Sequence, residues 1–102
     1  MEFLENTSLL FIDDDIETTQ VYSRMLNKFV KNVYTAHDGI DGYSLYEKHK
    51  PDIIVSDVSM PNLNGLDMVA KIRESDLDTK ILMLSAHGDK ENLLHAVKLG
   101  LV

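Results

Sequence analysis

Three adjacent carboxylates, Asp13, Asp14 and Asp15, follow the apolar run Leu9-Leu10-Phe11-Ile12. Asp57 follows a second apolar run, Ile53 to Ser56, while Ser85 follows Ile81 to Leu84, and His37 and Asp38 follow Val33 to Ala36. If these runs are parallel strands, the groups after them gather at one edge of a sheet. Carboxylates converging in a partly dry pocket repel unless a cation or bound protons offset them. With only oxygen donors and no His or Cys at matching spacing, a hard ion such as Mg2+ is the natural candidate, keeping several waters and taking a phosphate oxygen as a further ligand. An acidic triplet alone is more often a solvated turn with a helix cap, and Asp15 reads as only that. A solvated turn does not explain why Asp57 and Ser85 end other strands at the same edge.

The four runs are of strand length, and all but Val33 to Ala36 are nearly continuous in apolar residues, as strands covered on both faces are. Between them lie segments of helical spacing. The first carries Val21, Met25 and Phe29 with Thr18, Tyr22 and Leu26 on a neighbouring stripe, capped by Asp14 or Asp15. The second holds Ile40, Tyr43 and Tyr46 and stops at Lys48-His49-Lys50 before Pro51. A third runs from about Gly65 through Leu66, Val69 and Ile72, and a fourth starts near Asp89 with Leu93, Ala96 and Val97. Strands alternating with helices predict an α/β doubly wound parallel sheet with right-handed crossovers. Ligands in such sheets bind beyond the carboxyl ends of the strands, near the switch in strand order. Asp13, Asp14 and Asp57 are neighbours there if the first and third strands pair.

The chain is one domain's worth of protein, 102 residues with 44% hydrophobic content. Seventeen acidic against ten basic residues leave a net charge of −7, which repels phosphate backbones and anionic lipid, so neither nucleic acid nor membrane is expected as a direct partner. The absence of cysteine, of a bilayer-length apolar run and of a signal-peptide pattern makes the cytoplasm the default location.

The stretches "LLFIDDD", "PDIIVSDVSMPNLNG" and "ILMLSAH" resemble the three signature segments of the response-regulator receiver domain of two-component signalling. The likeness runs in order and spacing over the chain, including Asp38-Gly39 at the start of the second helix. It implies a flavodoxin-like sheet with four of the five usual strands and a single receiver domain over residues 1–102. It implies Asp57 as phosphoacceptor, and Asp13 and Asp14 as the acidic pair holding Mg2+, Asp14 more directly and Asp13 through water. Ser59 would add a backbone carbonyl to the metal, Ser85 would be the hydroxyl that hydrogen-bonds the phosphoryl group, and His87, with Ser59, would tune phosphate lifetime. The implied partners are a sensor histidine kinase or phosphotransfer protein and a downstream effector, with the domain a phosphoacceptor that slowly autodephosphorylates, not a turnover enzyme.

Departures are mild inside the matched segments: Asn64 stands where the family often has Asp, and Gly42 where it often has Ala. Gly65 is expected to adopt a backbone conformation that other residues resist. The family's fifth strand, Lys-Pro pair and fifth helix would follow Gly100-Leu101-Val102; without them the expectation is slower phosphotransfer and an open strand edge at residues 80–85, giving a homodimer or domain-swapped oligomer or else a poorly stable monomer. A haloacid-dehalogenase-type phosphatase is the enzyme rival, but Glu17 stands where its Asp-x-Asp-x-Thr/Val pattern needs Thr or Val. A phosphate-independent interaction module of the same fold is the other alternative.

Overall fold

Among the described residues seven elements alternate: β1 (Ser8–Ile12), α1 (Ile16–Leu26), β2 (Asn32–Ala36), α2 (Gly39–His49), β3 (Ile53–Asp57), α3 (Gly65–Arg73) and β4 (Lys80–Leu84). The structure, a computed structural model, describes residues 6–58, 60 and 62–84. The anticipated fourth helix, with Ser59, Ser85 and His87, lies outside the described residues. The strands form one sheet in the order β2-β1-β3-β4, and every pairing is parallel. The chain moves from β1 outward to β2, then crosses back to β3 on the other side, so the switch in strand order falls between β1 and β3. Among the described residues no helix is long and apolar enough to cross a membrane.

Burial follows from this order. Leu9, Leu10, Phe11 and Ile12 in the interior strand β1 are at most 1% exposed, and Ile53, Ile54 and Val55 of β3 are also buried. Alternating residues then feed two cores. Leu9, Phe11, Ile53, Val55 and Leu84 pack with Leu26 and Val30 on the α1 face. Leu10, Ile12, Ala36 and Ile54 pack with Tyr46, Met60, Met68 and Ile72 beneath α2 and α3. Of the two stripes expected on the first helix, that of Tyr22 and Leu26 faces the core together with buried Thr19, whereas Val21 and Met25 are exposed; Phe29, past the helix end, packs against the same core. Thr19 can take an interior position because its hydroxyl donates to the Ile16 carbonyl at 2.8 Å, so no polar group is left unsatisfied.

Each helix begins on a side chain that accepts its first free N–H groups: Asp15 for α1, Asp38 for α2 and Asn64 for α3. Asn64 caps by accepting from the Asp67 N–H at 2.9 Å, which is why Asn serves in place of Asp. Gly65 is required for a reason other than the one its sequence context suggests. A Cβ there would overlap the carbonyl oxygen of Asp57, while its N–H donates to the Val58 carbonyl at 2.9 Å, so α3 starts pressed against the end of β3. The left-handed backbone in this connection belongs to Asn62, at φ 69°. Gly42 is also tight: a Cβ would lie 2.6 Å from Ile12 Cδ1 and 3.0 Å from Met68 Sδ, so the propensity gain of Ala is opposed by overpacking.

At the opposite edge of the sheet, the Tyr46 hydroxyl donates to Asp76 Oδ2 at 2.7 Å, and Asp76 also accepts from the Thr79 hydroxyl and the N–H groups of Asp78 and Thr79. The Thr79 and Tyr46 hydroxyls, with those N–H groups, hold the Asp76 carboxyl well below the usual carboxylate range. Burial, then the bond to Asp76, pushes the Tyr46 phenol up to about 12. This knot ties α2 to the turn that launches β4.

Two outcomes test this scaffold. Tyr46→Phe should lower stability by about 1 kcal/mol in urea unfolding at neutral pH. The depressed Asp76 group stabilises the fold above its unfolded pKa of about 3.9, and this contribution fades as pH falls below it; the raised Tyr46 group contributes fully below about 10 and fades as pH rises toward 12. Tyr46→Phe should therefore flatten the alkaline decline and lessen the acid one, and unchanged pH profiles would refute the assignment. Gly65→Ala should cost about 1–3 kcal/mol, because the Asp57 backbone must move to admit the methyl group; an unchanged urea midpoint would show that the approach is not tight.

Candidate functional site

The sheet register places the acids before any side-chain detail is considered. Phe11 lies opposite Val55 and Ile12 opposite Ser56 in the parallel β1–β3 pair. Asp13 and Asp57 are each two residues further on, and strand residues alternate between faces, so both fall on the α1 side of the sheet at its carboxyl edge. The chain is still extended at Asp13, whose N–H donates to the Ala36 carbonyl at 3.1 Å. Carboxylate oxygens of Asp13, Asp14 and Asp57 all come within 4.8 Å of one another. Asp13 is buried, Asp57 partly buried and Asp14 exposed, so the cluster runs from the protein interior to solvent.

The three consecutive aspartates do different work. Asp13 Oδ1 accepts the Asp15 N–H at 2.9 Å, which turns the chain out of β1. Asp15 accepts from the N–H groups of Glu17 and Thr18 at 3.1 and 3.4 Å and from the Thr18 hydroxyl at 2.9 Å, and so starts α1. Asp14 is left to the cluster. The helices add an electrostatic background of one sense. Their N-terminal turns carry Glu17, Asp41 and Asp67 and their last turns carry Arg24, Lys48, His49, Lys71 and Arg73. Because all three helices run back against the strands, the acidic ends share the edge with Asp13 and Asp57 while the basic ends sit opposite.

The donor set fits a small hard cation. It consists of carboxylate oxygens alone, and their spread of no more than 4.8 Å is close to the roughly 4.2 Å between opposite ligands of an octahedral Mg2+. Asp13, Asp14 and Asp57 are thus brought together as anticipated, while Ser59, Ser85 and His87 lie outside the described residues.

At His37 and Asp38, which the sequence places at this edge, the structure adds contacts that the sequence does not mark. The His37 ring sits with Nδ1 3.3 Å from the Asp13 carbonyl, under the turn that carries the acids. Asp38 uses one oxygen to accept the Asp41 N–H at 2.7 Å and the other to accept the Asn62 side-chain amide at 2.8 Å. The Asp41 N–H and then the Asn62 amide hold the Asp38 carboxyl below its ordinary range. Asx caps are predictable from spacing; a bond between residues 24 positions apart in two loops is not.

Comparisons with known proteins agree with this geometry. Residues 9–102 match the family model described as the response regulator receiver domain. The oxygen regulatory protein NreC of Staphylococcus epidermidis is 38% identical over 95 residues, an alignment covering 90% of this chain and 44% of NreC. The transcriptional regulatory protein TrcR of Mycobacterium tuberculosis is 33% identical over 76% of this chain and 30% of its own. The chain thus spans less than half the length of these relatives. Among solved structures, the chemotaxis response regulator CheY4 of Vibrio cholerae superposes with a TM-score of 0.73 at 32% identity, covering 90% of this chain and 80% of that one. The receiver domain of NarL from Mycobacterium tuberculosis gives 0.72 at 27% identity, covering 95% and 78%. A match over nearly the whole chain, on a sheet whose carboxyl edge gathers the acids of the signature segments, means that the chain belongs to the response regulator receiver domain family of two-component signalling.

Proposed function

We propose that this domain takes a phosphoryl group from a sensor histidine kinase or phosphotransfer protein onto Asp57 and passes the event to a downstream effector. The observation that carries the reading is the meeting of Asp13, Asp14 and Asp57 within 4.8 Å at the switch between β1 and β3. An Asp57 oxygen bonds to phosphorus as the P–N bond of a phosphohistidine breaks, or the P–O bond of an acyl phosphate, and the electron pair leaves with the donor. Such a transfer asks the protein mainly for alignment and charge stabilisation. Asp13, Asp14 and Asp57 would hold the cation, with the Ser59 carbonyl as a further ligand. A bound Mg2+ supplies neutralisation of the non-bridging phosphoryl oxygens. In this reading the Ser85 hydroxyl would donate to one of those oxygens, and His87 with Ser59 would tune the lifetime of the acyl phosphate. Each chain is modified once per event, so the domain is a switch and not a turnover enzyme. The transcriptional regulator among the relatives supports gene control as the output and the cytoplasm as the setting.

Incubation of the chain with acetyl phosphate and Mg2+ should give one hydroxylamine-labile phosphoryl group, detected by mass. Asp57→Asn should abolish it, and Asp14→Asn or chelation of Mg2+ should slow it at least about tenfold. Equal labelling of Asp57→Asn and the unsubstituted chain would overturn Asp57 as the acceptor, and labelling of neither would leave a phosphate-independent interaction module.

A further inference from the structure

We infer that Asp38 and Asn62 form a clamp that positions the β3–α3 connection, and that through this connection they set the cation affinity and phosphorylation rate of the acidic cluster. Neither residue joins the cluster itself. Their bond, from the Asn62 amide to Asp38 Oδ2 at 2.8 Å, joins the start of α2 to the connection that leaves Asp57.

Three observations make this more than a surface contact. Asn62 holds φ 69°, a left-handed backbone that Asn tolerates better than most residues but that still needs support. The carboxylate of Asp38 is fixed from both sides, since its other oxygen accepts the Asp41 N–H at 2.7 Å and caps α2. Its position is therefore set by a helix, not by a mobile side chain. Finally, a Cβ on Gly39 would overlap the backbone carbonyl of Leu63, so α2 and this connection meet backbone to backbone directly beside the bond. At its far end the connection is closed by the Gly65 N–H on the Val58 carbonyl at 2.9 Å and by the approach of Gly65 to the Asp57 carbonyl. A segment fixed at both ends transmits a shift at Asn62 to the backbone of Asp57. Asp38 and Asn62 are thus positioning residues for the cluster.

The inference rests on the cation-site reading of Asp13, Asp14 and Asp57, and the test separates the two. Asn62→Gly keeps the left-handed backbone and deletes the amide. Asp38→Ser keeps an α2 cap but is too short to reach Asn62. Each should weaken Mg2+ binding, measured by titration calorimetry without any phosphodonor, and slow acetyl-phosphate labelling by roughly threefold to tenfold, the scale of one hydrogen bond. The double variant should be no worse than the poorer single, because both break one bond. Asp38→Asn loses the same charge as Asp38→Ser but keeps one oxygen to cap α2, and its NH2 can donate to the Asn62 oxygen once that amide turns over, so it should stay near the unsubstituted chain. Tyr46→Phe, which loosens the opposite edge of the fold, should leave Mg2+ affinity unchanged. Additive losses in the double variant, equal losses in Asp38→Asn and Asp38→Ser, or unchanged Mg2+ affinity in Asn62→Gly would each overturn the clamp. Failure of the unsubstituted chain to bind Mg2+ would overturn the cation site and the clamp together, whereas Mg2+ binding without Asp57 labelling would overturn the phosphoacceptor reading alone.

Discussion

Parallel strands force like ends together, and at the carboxyl edge of this sheet that means carboxylates. Two unit charges 4 Å apart repel by about 1 kcal/mol in bulk water and by about 4 kcal/mol near a protein surface. Asp13, Asp14 and Asp57 lie within 4.8 Å of one another with Asp13 buried, so the fold holds a repulsion that solvent screens only in part. The same topology supplies part of the compensation. Every helix that crosses back over the sheet begins at this edge and turns its unpaired N–H groups toward it. Asp13 takes one such N–H directly, from Asp15, and Asp15 and Asp38 take others. What remains of the repulsion is a standing affinity for positive charge.

Keeping such a cluster together requires a stiff support. The interior position of β1 gives it, since both neighbours pair with it in register and both of its faces are packed. Phe11 and Ile12, the last buried residues before Asp13, belong to opposite cores, so the edge of the sheet cannot tilt toward either face without disturbing one of them. Far from the acids, the Tyr46–Asp76 bond secures the opposite edge, where the basic helix ends collect.

Most of the framework was legible because parallel-sheet strands buried on both faces leave nearly unbroken apolar runs. The β1 and β3 runs follow from that alone, and the candidates Asp13, Asp14 and Asp57 from where the runs stop, while their meeting depends on the β1–β3 pairing that the runs leave open. The division of labour among Asp13, Asp14 and Asp15 was only partly legible. Asp15 shows the cap spacing, but the turn that Asp13 makes by accepting the Asp15 N–H depends on the exit angle from β1, which composition does not encode. Gly65 looked like a conformational glycine and is a proximity glycine, because what excludes a side chain is an atom of β3, eight residues earlier in the chain.

The misjudged helical stripes have one physical origin. Ile40 and Leu66, each 58% exposed, are both in the first turn of a helix. First turns stand at the sheet's carboxyl edge, where the strands have ended and little lies beneath them to cover a side chain. Periodicity assigns these residues to the core because it treats a helix as covered along its whole length. In α1 the error also shifts the stripe, since Val21 and Met25 share the apolar spacing while Thr19, made acceptable inside by its bond to the Ile16 carbonyl, takes the interior position. A hydroxyl satisfied within its own helix removes the penalty that keeps Thr out of cores, so the geometry of the sheet and not hydropathy decides which face of α1 turns inward.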